Sequence, residues 1–250
     1  QSRGLGDVYK RQPNVYHLGM SNLGMHILYQ IINERGDSAC ERFFLPEPAL
    51  IKEHEKTKTP LLSMETQRPL ADFSVLFAML SFEMDYDNLL KVLELGNIKL
   101  RAEQRNDKEP LLIIGGPCAT FNPEPLASVA DAFVIGEGEE TVQRILDVIY
   151  SDGSKSEKLL RLANLPGVYV PRFYEPQYDE HGTFCGMKHD EQVPATISRQ
   201  WVQNIDAYPH TSAIVTDKTE FEDMYIVEVA RGCGRHCRFC MAGYCFRKPR

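Results

Sequence analysis

The chain of 250 residues lacks any apolar run near the roughly 18 to 20 residues that a membrane-spanning helix requires; its longest, such as 73–80 and 111–114, are far shorter. A transmembrane reading is excluded. The first twelve residues are polar and basic and lack the apolar core of a secretory signal, so a reducing cytoplasmic setting is expected. No internal repeat and no low-complexity tract occurs. With 43% apolar and 25% charged residues, disorder is excluded as the general state, and the length suits one large domain or two modest ones. The seven cysteines are an odd number. In a reducing compartment that argues against a disulfide framework and for free thiols plus a metal site.

Acids are wholly missing from residues 231–250, where Arg231, Arg235, Arg238, Arg247, Lys248 and Arg250 give +6; residues 1–12 carry +2, so the net charge of −7 conceals −15 over 13–230. An acidic body with a short basic end gives no indication of nucleic-acid binding. Residues 1–12 show neither apolar periodicity nor a helix cap. They resemble a translated sequencing adapter and are set aside from the fold. The other end stops ten residues after a dense cysteine motif, so the chain reads as an N-terminal fragment.

From Pro13 on, short apolar runs alternate with helical periodicity, the pattern of an α/β sheet. Ser21 is the expected N-cap of a helix with the apolar face Leu23, Ile27, Leu28, Ile31 and Ile32, closed by Gly36. A strand is expected over 40–45 and a helix over 48–58, opened by Pro48. Continuous apolar runs at 74–80, 111–114 and 132–135 read as buried strands, and 85–95 and 140–150 as helices. The second run enters Gly115-Gly116-Pro117 and the third Gly136-Glu137-Gly138-Glu139. Strand, loop and helix in repeated order imply a doubly wound parallel sheet whose ligand crevice lies at the carboxyl ends of its strands. The expected α/β domain covers 13–150. A connector with a β-hairpin turning at Asp179-Glu180-His181-Gly182 covers 151–222. A strand over 224–230 then opens a second unit at 223–250.

That strand leads into Cys233-Gly234-Arg235-His236-Cys237-Arg238-Phe239-Cys240, a C-x3-C-x2-C spacing. Three thiolates on one loop can converge on a single iron-sulfur cluster, and three ligands on a four-iron cluster leave one iron open. Gly232 and Gly234 let the backbone pass close to such a group. The rival reading is a structural zinc site with His236 or Cys245 as fourth ligand. Cys40, Cys185 and Cys245 read as spare thiols. Glu137 and Glu139 invite a catalytic reading as paired carboxylates, but acids beside a helix N-terminus are favoured by its dipole; His17 and His26 read as structural.

The motif, with Phe239 in its aromatic place, resembles the signature of the radical S-adenosylmethionine superfamily. The resemblance implies that Cys233, Cys237 and Cys240 hold a 4Fe-4S cluster and that Phe239 lies beside the adenine of S-adenosylmethionine. It implies reductive cleavage of that cofactor to a 5'-deoxyadenosyl radical acting on an unknown substrate, with an electron donor such as flavodoxin or ferredoxin. Residues 223–250 would then be the first strand and cluster loop of a truncated β/α barrel, and the fragment alone would be inactive. Gly115, Gly116, Gly136, Glu137 and Gly138 resemble the paired loops of the cobalamin-binding-like, Rossmann-type domain that precedes the barrel in many members. The whole chain after Gln12 resembles one uncharacterised family of this build, in which an apolar strand before Pro13 is usual and is missing here. Methionine-synthase-like cobalamin binding requires Asp-x-His-x-x-Gly. That triplet is absent, His17 being followed by Leu18, Gly19 and Met20, and Cys118 stands where many relatives carry histidine, so cobalamin would bind without a protein histidine. The reading from another class is a cobalamin or nucleotide binding module with an inert or zinc-binding cysteine tail.

Overall fold

In a computed structural model, which describes residues 6–11, 13–235, 237–242 and 249–250, a six-stranded sheet forms the frame. In chain order the first elements are β1 (Gly6–Arg11), α1 (Tyr16–Met20), α2 (Leu23–Asn33), β2 (Ser38–Phe43), α3 (Pro48–Thr57), β3 (Val75–Met79), α4 (Asp85–Leu95) and β4 (Leu111–Gly115). There follow α5 (Pro117–Phe121), β5 (Ala132–Val134), α6 (Glu139–Tyr150), α7 (Lys155–Ala163), β6 (Val168–Tyr169) and a hairpin of β7 (Tyr174–Tyr178) and β8 (Phe184–His189). The order across the sheet is β2-β1-β3-β4-β5-β6, parallel throughout except for β6.

The continuous apolar strands arise because both faces of the sheet are covered. Leu76, Ala78, Leu112, Ile114 and Phe133 face a core completed by Leu89, Val92 and Leu93 of α4. Their neighbours Val75, Phe77, Leu111, Ile113, Ala132 and Val134 face the opposite core with Ile27 and Ile31 of α2, Leu159 and Leu162 of α7, and α6. Successive side chains of a strand point to opposite faces, so a strand buried on both sides must be apolar at every position. In α6 the buried Val142, Ile145, Leu146 and Ile149 recur at helical spacing and form one apolar stripe.

Several expectations change in detail. Asn22, not Ser21, caps α2, its side chain accepting the Met25 N–H at 3.1 Å; the Ser21 hydroxyl donates to the His17 carbonyl at 2.7 Å and closes α1. The helix ends before Gly36, because the Asn33 side chain donates to the Cys40 carbonyl (3.2 Å) and accepts the Cys40 N–H (2.9 Å), tying the helix end to β2. The polar stretch after α6 is in part a helix start: the Ser154 hydroxyl accepts the Glu157 N–H at 3.3 Å, and the Glu157 carboxylate accepts the Ser154 N–H at 2.7 Å. This capping box opens α7. With β6 paired to β5, the sheet continues well past Tyr150.

Two expectations are overturned. The segment set aside from the fold at the N-terminus supplies β1, which pairs in parallel with both β2 and β3; the strand position before Pro13 is occupied, by a mostly polar sequence in place of the usual apolar one. That sequence, Gly-Asp-Val-Tyr-Lys-Arg, lacks the continuous apolar run that marks β3 and β4. The strand expected over 224–230 does not form: only an isolated bridge joins Val227 to Thr211, with the Ser212 N–H donating to the Ile226 carbonyl and the Glu228 N–H to the His210 carbonyl. Val229 is 91% exposed and Tyr225 57%, so the β-branched and aromatic side chains there have no second layer to bury them.

Candidate functional site

The carboxyl ends of β3, β4 and β5 surround a cavity of about 340 Å³, within the size range of small-molecule sites. Its wall is apolar: Ile27 and Leu28 from α2, Phe77 and Met79 from β3, Val134 from β5, and Val142 from α6. Gly115, Gly116, Gly136, Glu137 and Gly138, which the sequence singles out on two separate loops, all line this one cavity. Thr120, not singled out by its sequence context, joins the loops: its hydroxyl donates to the Gly116 carbonyl and accepts the Gly136 N–H, both at 3.0 Å.

The glycines have different physical reasons. Gly116 has φ +97°, and a Cβ there would lie 2.6 Å from the Leu80 carbonyl oxygen. Gly136 has φ +109°, and a Cβ would collide with the Gln200 carbonyl. Both are required by chain packing. At Gly115 and Gly138 a Cβ would make only ordinary contacts, 3.7 Å to Val134 and 3.4 Å to Leu28, and their bare backbone faces the cavity. Gly136 admits a segment from far along the chain: the Gln200 N–H donates to the Ile135 carbonyl (2.9 Å), and the Glu137 N–H donates to the Gln200 carbonyl (3.0 Å).

The cavity mouth is charged. Arg231 Nη1 lies 2.7 Å from Glu139 Oε1 and 3.3 Å from Glu137 Oε2, and its Nη2 lies 2.8 Å from Glu228 Oε2. Glu137 also binds Arg250 Nη2 at 2.5 Å and accepts the Val202 N–H at 2.6 Å. Arg250 further donates to the Val202 carbonyl and stands over the Trp201 ring, 5.2 Å from its centroid. Burial alone pushes the Glu137 carboxyl up, but the hydrogen bonds from Arg250 and Val202 and the charges of Arg231 and Arg250 outweigh it and hold it below the usual carboxylate range. Burial would lower the Arg231 pKa, and the Glu228 and Glu139 carboxylates reverse that direction. The helix dipole therefore does not exhaust the role of Glu137 and Glu139.

Cys233, Cys237 and Cys240 are free thiols on a loop, Cys237 exposed and the other two partly so. The Cys240 N–H donates to the Cys237 carbonyl at 3.1 Å, and the Arg235 N–H to Cys233 Sγ at 3.4 Å. Phe239 is 93% exposed. Among the described residues, no three Cys, His, Asp or Glu side chains are grouped closely enough to hold a metal ion; His236 and Cys245, the alternative zinc ligands, lie outside the described residues. Three unpaired thiols are nevertheless a donor set suited to an iron-sulfur cluster. His17 pairs with Glu220 at 3.5 Å, and buried His26 contacts the Met20 carbonyl at 2.9 Å; neither is among the residues lining the cavity. Cys118 is buried in α5 with its thiol pKa pushed up, chiefly by burial.

Fold and site together define a class: a largely parallel α/β domain whose candidate ligand crevice opens at the carboxyl ends of its strands. The chain belongs to the family described as radical SAM proteins, N-terminal, whose model matches residues 24–171. It is also similar to an uncharacterized protein of Methanocaldococcus jannaschii, with 24% identity over 238 residues that make up 95% of this chain and 41% of that protein. The chain thus spans less than half the length of this relative. No solved structure matches it. No helix among the described residues is long and apolar enough to cross a membrane.

Proposed function

We propose that this chain is the front part of a radical S-adenosylmethionine enzyme, with Cys233, Cys237 and Cys240 as the ligands of a 4Fe-4S cluster and Phe239 beside the adenine of the cofactor. The observation that carries the reading is the set of three free thiols at C-x3-C-x2-C spacing in a chain whose preceding domain belongs to a radical SAM family. When bound, the cluster and S-adenosylmethionine supply one-electron cleavage of the cofactor and a carbon radical that abstracts hydrogen. This chain's own residues hold the cluster, shape the crevice and fix the loop above it. The substrate is unknown, and a flavodoxin- or ferredoxin-like donor supplies the electron. Anaerobic reconstitution with iron and sulfide tests the reading. About four iron atoms and a brown colour, both lost in Cys237→Ala, are expected; a colourless protein that retains zinc instead would overturn it.

The domain in front fits a cobalamin-binding-like, Rossmann-type module. Its strand order β2-β1-β3-β4-β5 is that of flavodoxin-like doubly wound sheets, which bind ligands where the order reverses, and its apolar cavity at the strand ends favours a ligand of its own. With no histidine among the described cavity residues, cobalamin would be held without a protein axial ligand. Incubation with cobalamin and gel filtration separates the outcomes: a retained red chromophore supports this reading, and a colourless protein removes cobalamin as the ligand.

A further inference from the structure

Arg231 is held from every side. Its guanidinium forks onto Glu228, with Nε at 2.9 Å and Nη2 at 2.8 Å, while Nη1 reaches Glu139 and Glu137. Its backbone N–H and carbonyl exchange hydrogen bonds with Arg250 at 3.0 and 2.9 Å. The contact is largely dry, with side-chain exposure of 16% for Arg231 and 7% for each of Glu137 and Glu139, so it escapes most of the screening that weakens surface pairs. Cys233 follows two residues later, and two residues span at most about 7 Å of chain. The first thiol is therefore tethered to the mouth of the crevice.

We propose that Glu137 and Glu139 are positioning residues for the cysteine loop, acting through Arg231, so that loop and crevice form two halves of one site. This rests on the assignment of Cys233, Cys237 and Cys240 as cluster ligands. Glu137 and Glu139 stand on the loop and first turn leading into α6, an element rigidly packed in the sheet domain, whereas Arg231 belongs to the thinly packed segment with exposed Val229 and Tyr225. The guanidinium carries the rigidity of the former to the latter. A group bound in the apolar cavity would then lie close to the chain that carries the first thiol.

The test is timed trypsin digestion of the full chain without iron, followed by mass spectrometry, comparing cleavage after Arg231 with cleavage after the exposed Lys188 of the hairpin. The isosteric substitutions Glu137→Gln and Glu139→Gln keep shape and, at Glu137, an acceptor for the Val202 N–H. Together they should raise cleavage after Arg231 about tenfold relative to Lys188, with Arg231→Lys intermediate because it keeps charge and loses the fork. An unchanged ratio, or a parallel rise at both sites from general loosening, would overturn the proposal; should the double variant fail to fold, Glu139→Gln alone carries the same comparison. Because no iron enters the readout, failure of the cluster assignment in reconstitution is distinguishable from failure of the clamp.

Discussion

Arg231 Nη1 lies 2.7 Å from Glu139 Oε1, joining the basic end of the chain to its acidic body across more than ninety residues of sequence. Replacing Arg231 with Met would leave Glu139 and Glu228 without their cation and Glu137 with Arg250 alone. Removing one partner of a buried pair can cost ~3–5 kcal/mol where the survivor stays dry. Here the tail can lift and admit water, so the loss falls on docking rather than on the sheet. Arg231→Met should raise the alkylation rate of Cys233 several-fold, read by peptide mapping after iodoacetamide, and leave the melting temperature within a few degrees. A large drop in melting temperature with unaltered Cys233 reactivity would instead make Arg231 a support of the fold.

At the opposite end of the sheet Arg105 and Asp131 are almost fully buried, with side-chain exposure of 0% and 2%. Asp131 accepts from Arg105 Nη2 at 2.8 Å and the Leu112 N–H at 2.8 Å and pairs with Lys155 at 3.0 Å. Arg105 also donates to the carbonyls of Lys99, Leu100 and Val129. The network pins α7 and the start of β5 to β4. Asp131→Ala strands a buried guanidinium and should cost ~3–5 kcal/mol, measured as a shift of the urea midpoint. A loss under about 1 kcal/mol would mean that water replaces the carboxylate.

What could be read in the sequence follows from how local the cause is. Val75–Met79, Leu111–Gly115 and the helix Asp85–Leu95 were legible because burial on one or two faces imposes a short period on neighbouring residues. The crevice glycines were legible because they fall where strands end. Arg105 with Asp131, Arg231 with Glu139, and Gly136 beneath Gln200 were not, since each joins distant residues whose types are unremarkable where they stand. Gly6–Arg11 was left out of the fold because its mostly polar composition gives no strand signal, although it pairs on both sides. The stretch before Cys233 erred in the other direction: β-branched composition predicts a strand, yet a strand also needs partners, and here only residues 210–212 offer pairing.

The two kinds of glycine give opposite expectations. Gly136→Ala forces an L-residue to φ +109° and drives a Cβ into the Gln200 backbone. The strain alone is of order 1–3 kcal/mol, and the strap at Gln200 should detach. Gly115→Ala meets nothing nearer than Val134 Cβ at 3.7 Å, so it should change stability by less than about 1 kcal/mol while narrowing the cavity mouth. Urea unfolding of both variants checks the order of effects; a Gly115→Ala variant less stable than Gly136→Ala would contradict this account of the crevice.

A pH-dependent contribution arises where α2 meets α6. Arg35 Nη2 lies 2.8 Å from both Asp37 and Asp147, and its hydrogen bonds to Asp37, aided by one from Ser38 and opposed by burial, bring that carboxyl down to about 2. An unfolded aspartate titrates near ~3.9, so the folded state binds the proton less well. The contribution is present above about pH 4 and disappears as the pH falls through the folded value near 2. Asp37 is 55% exposed, which limits the pair to under about 1 kcal/mol at moderate salt. Asp37→Asn should therefore lower the urea midpoint slightly at pH 6, and the gap from the unmodified chain should close at pH 2 to 3. A gap that widens on acidification would show that Arg35 draws its stabilisation from Asp147 alone and that Asp37 is held by something other than the guanidinium.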